Sequence, residues 1–285
     1  MAYEAKLGFA AGFQGSGKTY QAAYQIRDYV RSGKKAILFD ANAEFTLAHL
    51  QEYGITDFPI KTLRLEQLSD WLASPLIEAR RILPIYTTGL KKGQYMSAGE
   101  KQLTLQFMID KVNNCLLFVE DVNTYMRQTQ EFEKLAENLV KLRHKSVDVL
   151  VHYQSLAPVT TLIWQNAKWF RLHDQLDDVD RYENRIPEFD MVKIEQLIVK
   201  KKLMQGNQYF NLTVLRDKRK LAGEFSLNDF INATREMLYE NTGRIKREAN
   251  KLTISSVNAK LTANELRKKA EEALIIDFVK KYYGN

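Results

Sequence analysis

The sequence predicts an α/β fold in which a mainly parallel β-sheet is covered by helices. Short apolar runs alternate with segments of helical periodicity through roughly residues 5–175, and this alternation is typical of parallel sheets. Two of the apolar runs, at residues 35–40 and 116–121, end in carboxylates. A glycine-rich loop occupies residues 12–19, between an apolar run and a helical segment. Together these features indicate a ligand site at one edge of the sheet.

Residues 12–19 read Gly-Phe-Gln-Gly-Ser-Gly-Lys-Thr, the pattern of a phosphate-binding loop. Glycines let backbone N–H groups surround phosphate oxygens, and the start of the next helix attracts anions. Lys18 would reach the β- and γ-phosphates of ATP, and the Thr19 hydroxyl would bind Mg²⁺. The alternative is a glycine-rich turn, but the strand–loop–helix context favours a P-loop NTPase core. The predicted nucleotide-binding residues are Gly12, Gln14, Gly15, Ser16, Gly17, Lys18 and Thr19.

Apolar runs, helical periodicity and capping residues define the elements of this core. The predicted strands are residues 7–11, 35–40, 60–65, 81–87, 116–119, 147–152 and 167–172. The predicted helices are residues 19–30, 44–50, 67–76, 97–113 and 130–142. Ser97 and Glu100 form a capping box at the start of the fourth helix. Pro84 cannot donate a ladder hydrogen bond, so it places the fourth strand towards an edge of the sheet.

The remainder of the chain has a different pattern. Residues 209–215 and 220–225 flank a basic turn and predict a hairpin. Ser226 would cap a helix that Gly243 ends, and a capping box at residues 262–265 precedes an amphipathic helix to residue 282. Residues 241–262 are polar and predict a linker. The predicted organisation is a P-loop ATPase core at 1–190, a basic hairpin and helix packed on the core at 191–240, and the linker and C-terminal helix at 241–285.

The charge of the 285-residue chain, +7 in total, is unevenly distributed. Residues 1–190 hold 23 Lys and Arg against 24 Asp and Glu, a balance of −1, whereas residues 191–285 hold 19 against 11, a balance of +8. A basic C-terminal third suggests a polyanionic partner, and ordinary solvated charge explains it equally well.

Other features of the composition narrow the class of protein. No apolar run approaches the roughly 20 residues of a membrane span. The N-terminal residues lack a secretory pattern. The single cysteine, Cys115, cannot form an internal disulfide, which favours a reducing setting. We therefore expect a protein that is neither secreted nor membrane-spanning.

The run at residues 116–121 is four apolar residues followed by Glu120 and Asp121. In a parallel sheet these acids would lie beside the phosphate-binding loop. One acid would hold Mg²⁺ together with Thr19, and the other would polarise the attacking water. By position Glu120 is on the metal side and Asp121 is the catalytic base, although the usual order is Asp then Glu. The predicted metal ligands are thus Thr19, Glu120 and Asp121, and the alternative is an ordinary acidic strand end.

Two further residues flank the predicted strand at 147–152. Gln154 follows the strand and could sense the γ-phosphate or orient water. Arg143 precedes the strand, so it would lie far from the nucleotide of its own subunit. It could instead serve a neighbouring subunit as an arginine finger, or hold nucleic acid. The alternative for each residue is a surface group.

The order of these motifs resembles that of FtsK/HerA-type DNA-pumping ATPases. The resemblance rests on the loop at 12–19, the strand at 37–40 with Glu44 after it, the strand at 116–121, the segment 143–154 and the stretch 166–172. It implies a ring, usually a hexamer, that couples ATP hydrolysis to movement of DNA through a central pore. Within this group the chain is similar to viral genome-packaging ATPases, which implies a location in the host cytoplasm or the virion. Filamentous-phage assembly ATPases share the Arg-His…Gln pattern, and the order Glu120-Asp121 departs from both.

The leading hypothesis is therefore an ATP-driven DNA translocase, most simply a viral packaging motor. Candidate contacts to the DNA backbone are residues 91–92, 200–202 and 216–220, without a base-reading motif. The C-terminal helix could dock on a capsid or portal-vertex protein. The alternatives are a filamentous-phage-type assembly ATPase, a P-loop kinase and a non-hydrolytic nucleotide-gated assembly protein.

Overall fold

A computed structural model of the chain describes residues 4–175, 177–254 and 261–283. The chain forms two compact units, Met1–Asp177 and Asp178–Asn285. The first unit contains the phosphate-binding loop and the acids that the sequence singles out. The division into functional regions at residues 190 and 240 stays a prediction.

The described part of the first unit contains a parallel sheet of seven strands. They are β1 (Leu7–Ala11), β2 (Lys35–Phe39), β3 (Lys61–Thr62), β4 (Ala79–Ile82), β5 (Cys115–Val119), β6 (Asp148–Tyr153) and β7 (Trp169–Leu172). Their order across the sheet is β3-β4-β2-β5-β6-β1-β7. Every residue of β1, β2, β5 and β6 is buried, as expected where helices cover both faces of a parallel sheet. The predicted α/β class is confirmed.

Helices alternate with these strands, as the sequence predicts. They are α1 (Lys18–Arg31), α2 (Leu47–Glu52), α3 (Leu68–Ala73), α4 (Ala98–Lys111), α5 (Thr129–Lys141) and α6 (Thr161–Asn166). The predicted capping box of α4 forms, since Ser97 Oγ accepts a hydrogen bond from Glu100 N, and the Glu100 carboxylate accepts one from Ser97 N. Both bonds satisfy backbone N–H groups that a helix start leaves without partners.

The core of the first unit lies where α1 packs on the sheet. Ala22, Ala23 and Ile26 are fully buried against side chains of the central strands, which include Phe118 and Leu150. The small alanines let the helix approach the sheet closely, so the loop that precedes α1 is held on a rigid support.

The strand register brings several loops to one edge of the sheet. β1 lies between β6 and β7, with Ala11 opposite Tyr153 and Leu172. β5 lies between β2 and β6. Because all these strands are parallel, the loops that follow β1, β2, β5 and β6 meet at the same edge.

One predicted strand differs from the observed element. The prediction was residues 81–87 near a sheet edge, whereas β4 spans Ala79–Ile82 and pairs with both β2 and β3. The strand ends before Pro84, so the proline takes no place in the hydrogen-bond ladder and does not limit the position of β4.

The second unit consists of helices and one antiparallel hairpin in its described part. Its elements are α7 (Phe189–Met204), β8 (Leu212–Leu215), β9 (Lys220–Ala222), α8 (Leu227–Glu240), α9 (Thr242–Ile254) and α10 (Ala263–Phe278), which continues as a π-helix at Val279–Tyr283. The predicted hairpin is confirmed by antiparallel pairing of β8 with β9, and the capping box before α10 forms as predicted.

The predicted linker at 241–262 is wrong over much of its length, because residues 242–254 form α9. Ile245, Ala249 and Leu252 share one helix face at i, i+4 and i+7 among many charged residues, and Ile245 is buried. Gly243 lies within α9 and does not end the preceding helix. Residues 255–260 of the predicted linker lie outside the described residues.

No helix among the residues described here is long and apolar enough to cross a membrane.

Candidate nucleotide site

The loop between β1 and α1 has the backbone conformation that its glycines predict. Gly15 and Gly17 have φ of +80° and +87°, a region that residues with a side chain rarely adopt. Gly12 is required for a different reason, since a Cβ at this position would lie 2.6 Å from the Cβ of His173. Gln14 lies at the exposed tip of the loop.

Two neighbouring segments hold this loop. The N–H of Gly12 donates to the Tyr153 carbonyl at 3.1 Å, and the N–H of Phe13 donates to the Asp174 carbonyl at 2.8 Å. The ring Nδ1 of His173 lies 2.9 Å from the Ser16 carbonyl oxygen. Burial, followed by nearby positive charge, lowers the pKa of His173 to about 3, so the ring is neutral near pH 7 and its Nδ1–H donates to that oxygen. The ends of β6 and β7 therefore fix the loop before any phosphate binds.

Lys18 lies at the mouth of the loop. Its ammonium donates to the carbonyl oxygens of Gly12 at 2.7 Å and Phe13 at 2.8 Å. The same nitrogen lies 3.9 Å from Asp121 Oδ1. Burial lowers the pKa of Lys18, and the nearby carboxylates oppose that shift. The lysine is thus tethered between the loop and the acid after β5.

Thr19 has an acidic partner whose role sequence analysis did not assign. Its hydroxyl donates to Glu44 Oε2 at 2.6 Å. Glu44 is held in turn by the buried Asp40, whose Oδ1 accepts from the Glu44 N–H at 2.9 Å. The Arg81 guanidinium donates to the other oxygen of Asp40 at 2.9 Å, which compensates the burial of that carboxylate. The end of β2 therefore supplies a second acidic strand end beside the loop.

Glu120 is the more buried of the two predicted acids, with 1% of its surface exposed. Its Oε2 accepts a hydrogen bond from the Asn42 N–H at 3.0 Å, whereas its Oε1 accepts none within the described residues. Burial, followed by the neighbouring charges of Asp40 and Glu44, raises the pKa of Glu120 well above its ordinary value. A cation bound nearby would oppose this shift, because it favours the charged form of the carboxyl group.

Asp121 lies next to Glu120 but has a different environment. Its backbone has φ of +35°, a left-handed conformation that Asp tolerates better than most residues. Its Oδ2 accepts from the Gln154 side-chain amide at 3.2 Å, and its Oδ1 lies 3.9 Å from the Lys18 ammonium. The Gln154 N–H donates to Asn123 Oδ1 at 3.0 Å, which fixes the start of the loop after β6. The structure thus brings Lys18, Asp121 and Gln154 together.

The donor set near the loop fits a hard cation such as Mg²⁺. Thr19 supplies a hydroxyl, and Glu120 and Asp121 each have one buried carboxylate oxygen that accepts no hydrogen bond from a described residue. Mg²⁺ usually takes one or two carboxylates and completes its coordination with phosphate oxygens and waters. The described residues contain no cluster of three or more His, Cys, Asp or Glu that could hold a metal ion without other ligands.

Arg143 is the predicted site residue that the structure places apart from the others. It is exposed in the 3-10 turn Leu142–Lys145, which precedes β6, whereas Gln154 follows β6. The arginine therefore lies at the opposite edge of the sheet from the loop, as the sequence predicts. A role in a neighbouring subunit stays a prediction.

The three predicted DNA-contact clusters have different environments. Residues 91–92 are exposed in the first unit. Residues 200–202 lie in the last turns of α7 and not in a loop, and Lys202 pairs with Asp229 at 2.9 Å. In the hairpin turn, Arg216 and Arg219 lie 3.6 and 3.3 Å from the Glu188 carboxylate. Intramolecular pairs therefore neutralise part of the charge in the two clusters of the second unit.

The comparisons with known proteins concern the fold. No protein-family model matches the sequence, and neither does any curated protein. Among solved structures, the chain is similar to the genome packaging NTPase B204 from Sulfolobus turreted icosahedral virus 2 in complex with sulfate, with 13% identity, a TM-score of 0.50, and coverage of 78% of this chain and 96% of that one.

The complex of the same NTPase with ATP-gammaS has 12% identity and a TM-score of 0.49, over 78% of this chain and 97% of that one. B204, the DNA-packaging ATPase from Sulfolobus Turreted Icosahedral Virus, has 12% identity and a TM-score of 0.48 over the same shares. At such identities the likeness establishes the fold alone. Together with the loop geometry, the likeness to the sulfate complex establishes that the chain has the α/β fold of a P-loop NTPase.

Proposed function

We propose that the chain hydrolyses ATP and couples hydrolysis to the movement of DNA, as a viral genome-packaging motor. The observation that carries this proposal is the convergence of Lys18, Asp121 and Gln154 at the mouth of the phosphate-binding loop. These three residues come from three different strand ends, and each has a part in phosphoryl transfer to water. A glycine-rich turn without a ligand would not need that arrangement.

Each residue has a distinct task in this mechanism. The loop N–H groups and Lys18 would hold the phosphates, and Thr19 and Glu120 would hold Mg²⁺, which would supply positive charge beside the phosphates. Asp121 accepts the proton of the attacking water, and Gln154 orients that water for in-line attack. The Thr19 hydroxyl could keep donating to Glu44 while its oxygen lone pair would bind the metal. Loss of the γ-phosphate removes the partner of Gln154 and changes the strand ends around it.

The motor part of the proposal has weaker support. The solved structure that the chain matches with a TM-score of 0.50 is that of a genome packaging NTPase. The basic residues suit sequence-independent contacts to the DNA backbone. The exposed position of Arg143 suits a hexameric ring, in which this arginine would complete the site of a neighbouring subunit. The C-terminal helix would dock on a capsid or portal-vertex protein.

ATPase assays with and without duplex DNA test the proposal. We expect phosphate release that requires no acceptor other than water, rises with DNA, and falls at least about a thousandfold in Lys18→Ala. Lys61→Ala, an exposed lysine on β3, is the control for loss of one positive charge. Phosphate transfer only with an added acceptor would favour a kinase. ATP binding without turnover would favour a nucleotide-gated assembly protein, and undiminished turnover in Lys18→Ala would discard the site.

A further inference from the structure

An exposed hairpin-like segment, residues 84–96, lies between β4 and α4, and we name it the basic arm. The Met96 N–H donates to the Pro84 carbonyl at 2.8 Å, and the Tyr86 N–H donates to the Gln94 carbonyl at 3.0 Å. An antiparallel bridge joins residues 85 and 95. These backbone bonds give the arm a defined conformation, so its tip is presented in one direction.

The tip of the arm combines positive charge with polar groups suited to phosphate. Leu90, Lys91 and Lys92 are exposed, and Leu90 is fully so. The Lys91 ammonium lies 5.1 Å from the centre of the Tyr86 ring. Neither lysine forms an ion pair with a described residue, and residues 87–94 contain hydroxyl and amide side chains but no carboxylate. Lysines, hydroxyls and backbone N–H groups are the usual partners of nucleic-acid phosphates.

The base of the arm is attached to the first turn of α4. Glu100 accepts a short hydrogen bond from the Tyr86 hydroxyl, while it also caps α4 through Ser97. The bonds from Ser97 and Tyr86 lower the pKa of Glu100 to about 2, so the group is a charged acceptor at physiological pH. A rotation or shift of α4 would therefore be transmitted to the arm.

The next two residues of α4 reach the loops that contain the acids of the nucleotide site. Lys101 Nζ donates to the Ala41 carbonyl at 3.4 Å, and Gln102 Nε2 donates to the Tyr125 carbonyl at 2.7 Å. The Tyr125 hydroxyl in turn donates to the Glu120 carbonyl at 3.3 Å. Three consecutive residues of one helical turn thus contact the basic arm and both loops that surround Glu120.

We propose that the basic arm contacts a nucleic-acid phosphate backbone and that the first turn of α4 makes this contact depend on the state of the nucleotide site. The proposal rests on the proposed function, and it assigns the contact to one segment of the first unit. Binding of metal and triphosphate would reposition the loops around Glu120, and Lys101 and Gln102 would move with them. Glu100 and Tyr86 would then reposition the arm.

The salt dependence of duplex DNA binding, followed by fluorescence anisotropy, tests the contact. Each phosphate contact contributes about 0.9 to the slope of log affinity against log salt. We expect Lys91→Ala/Lys92→Ala to lower that slope by about 1.8. The control Lys134→Ala/Lys141→Ala removes the same charge from the exposed face of α5 and should leave the slope unchanged. Equal slopes for the wild type and the arm variant would overturn the proposal.

Tyr86→Phe tests the link, since it keeps the ring and removes the hydrogen bond to Glu100, together with the 3.4 Å hydrogen bond that the Tyr86 hydroxyl accepts from Lys91. We expect the wild-type salt slope to differ between Mg-ATPγS and Mg-ADP, and this difference to disappear in Tyr86→Phe. A difference that persists in the variant would overturn the link. Polyglutamate that competes at the arm while DNA does not would assign the arm to an acidic protein and overturn the nucleic-acid contact. DNA binding by neither the wild type nor the variants would instead refute the proposed motor function.

Discussion

The two edges of the parallel sheet differ in how completely their buried polar groups are satisfied. At the edge where strands begin, Asp148 accepts hydrogen bonds from a backbone N–H and from the Tyr29 hydroxyl, each 2.7 Å long. Lys35, also at that edge, donates to carbonyl oxygens at the end of α3. At the edge where strands end, one oxygen each of Glu120 and Asp121 accepts no hydrogen bond within the described residues.

This difference separates structural polar groups from functional ones. A buried polar atom without a partner costs about 1–3 kcal/mol, so a fold retains it where a ligand or an ion supplies the missing contact. Asp148 and Glu120 are both buried acids, yet the bonds of Asp148 are complete without a ligand. The comparison predicts opposite changes in the free energy of unfolding when each acid is replaced by its amide.

The largest expected effect is on catalysis at the unsatisfied edge. Asp121→Asn keeps the size of the side chain and an acceptor oxygen near Gln154, but it removes the base that accepts a proton from water. Because a positioned base contributes roughly a hundred- to ten-thousandfold, we expect ATP turnover to fall by about a thousandfold. ATP affinity, measured by calorimetry, should remain within a few-fold of the wild type. Asp70→Asn, an exposed acid on α3, controls for charge, and full turnover in Asp121→Asn would refute its role as the base.

A second prediction tests whether function is confined to the edge where strands end, because it assigns a catalytic role to Arg143 at the edge where strands begin. If Arg143 acts in a neighbouring subunit, Arg143→Ala subunits mixed with wild type should reduce ATPase activity by more than dilution does. An arginine finger supplied by a neighbouring subunit raises the rate of hydrolysis by about three to five orders of magnitude. One variant subunit would therefore inactivate the adjacent site. Lys141→Ala, at the end of α5, is the control. A linear decline with the variant fraction would indicate independent subunits.

The sequence could single out the parts of the candidate site that depend on contiguous residues. The loop at 12–19 and the acids at 120–121 are readable because glycine conformations and a strand end are local properties. The partners Glu44 and His173 were missed, because Glu44 lies 25 residues from Thr19 and His173 lies 157 residues from Ser16. The strand at Asp40 ends in a carboxylate as β5 does, and that was the available signal for a second acidic strand end.

The second unit was predicted less well, for a different reason. No helix was predicted for α7, although residues 191–199 are buried, because a helix apolar on most sides lacks a clear periodic face. In α9 the apolar face is narrow and lies among charged residues, so the segment resembled a linker. The hairpin and the capping box of α10 were readable, since turn and cap residues are local signals.

A smaller effect is expected from Asp148, at the satisfied edge. Burial raises the pKa of Asp148 to about 6. A raised pKa in the folded state contributes stability that is complete below the ordinary value near 3.8 and is lost as pH rises through about 6. We expect Asp148→Asn to be less stable than the wild type, by about 2 kcal/mol more at pH 4 than at pH 7. Urea unfolding at both pH values measures this gap, and a gap that does not change with pH would contradict the assignment.

An effect of opposite sign is expected from Glu120→Gln without nucleotide or metal. The raised pKa of Glu120 means that its contribution to stability falls as pH rises above the ordinary range of a carboxyl group. An amide does not titrate, so the variant should be more stable than the wild type at pH 8, with a smaller difference at pH 5. Urea unfolding checks this, and addition of Mg-ATPγS should stabilise the wild type more than the variant. Lower stability of Glu120→Gln at both pH values would mean that the ionised carboxylate is already satisfied by its protein partners, and the contrast between the two edges would fail.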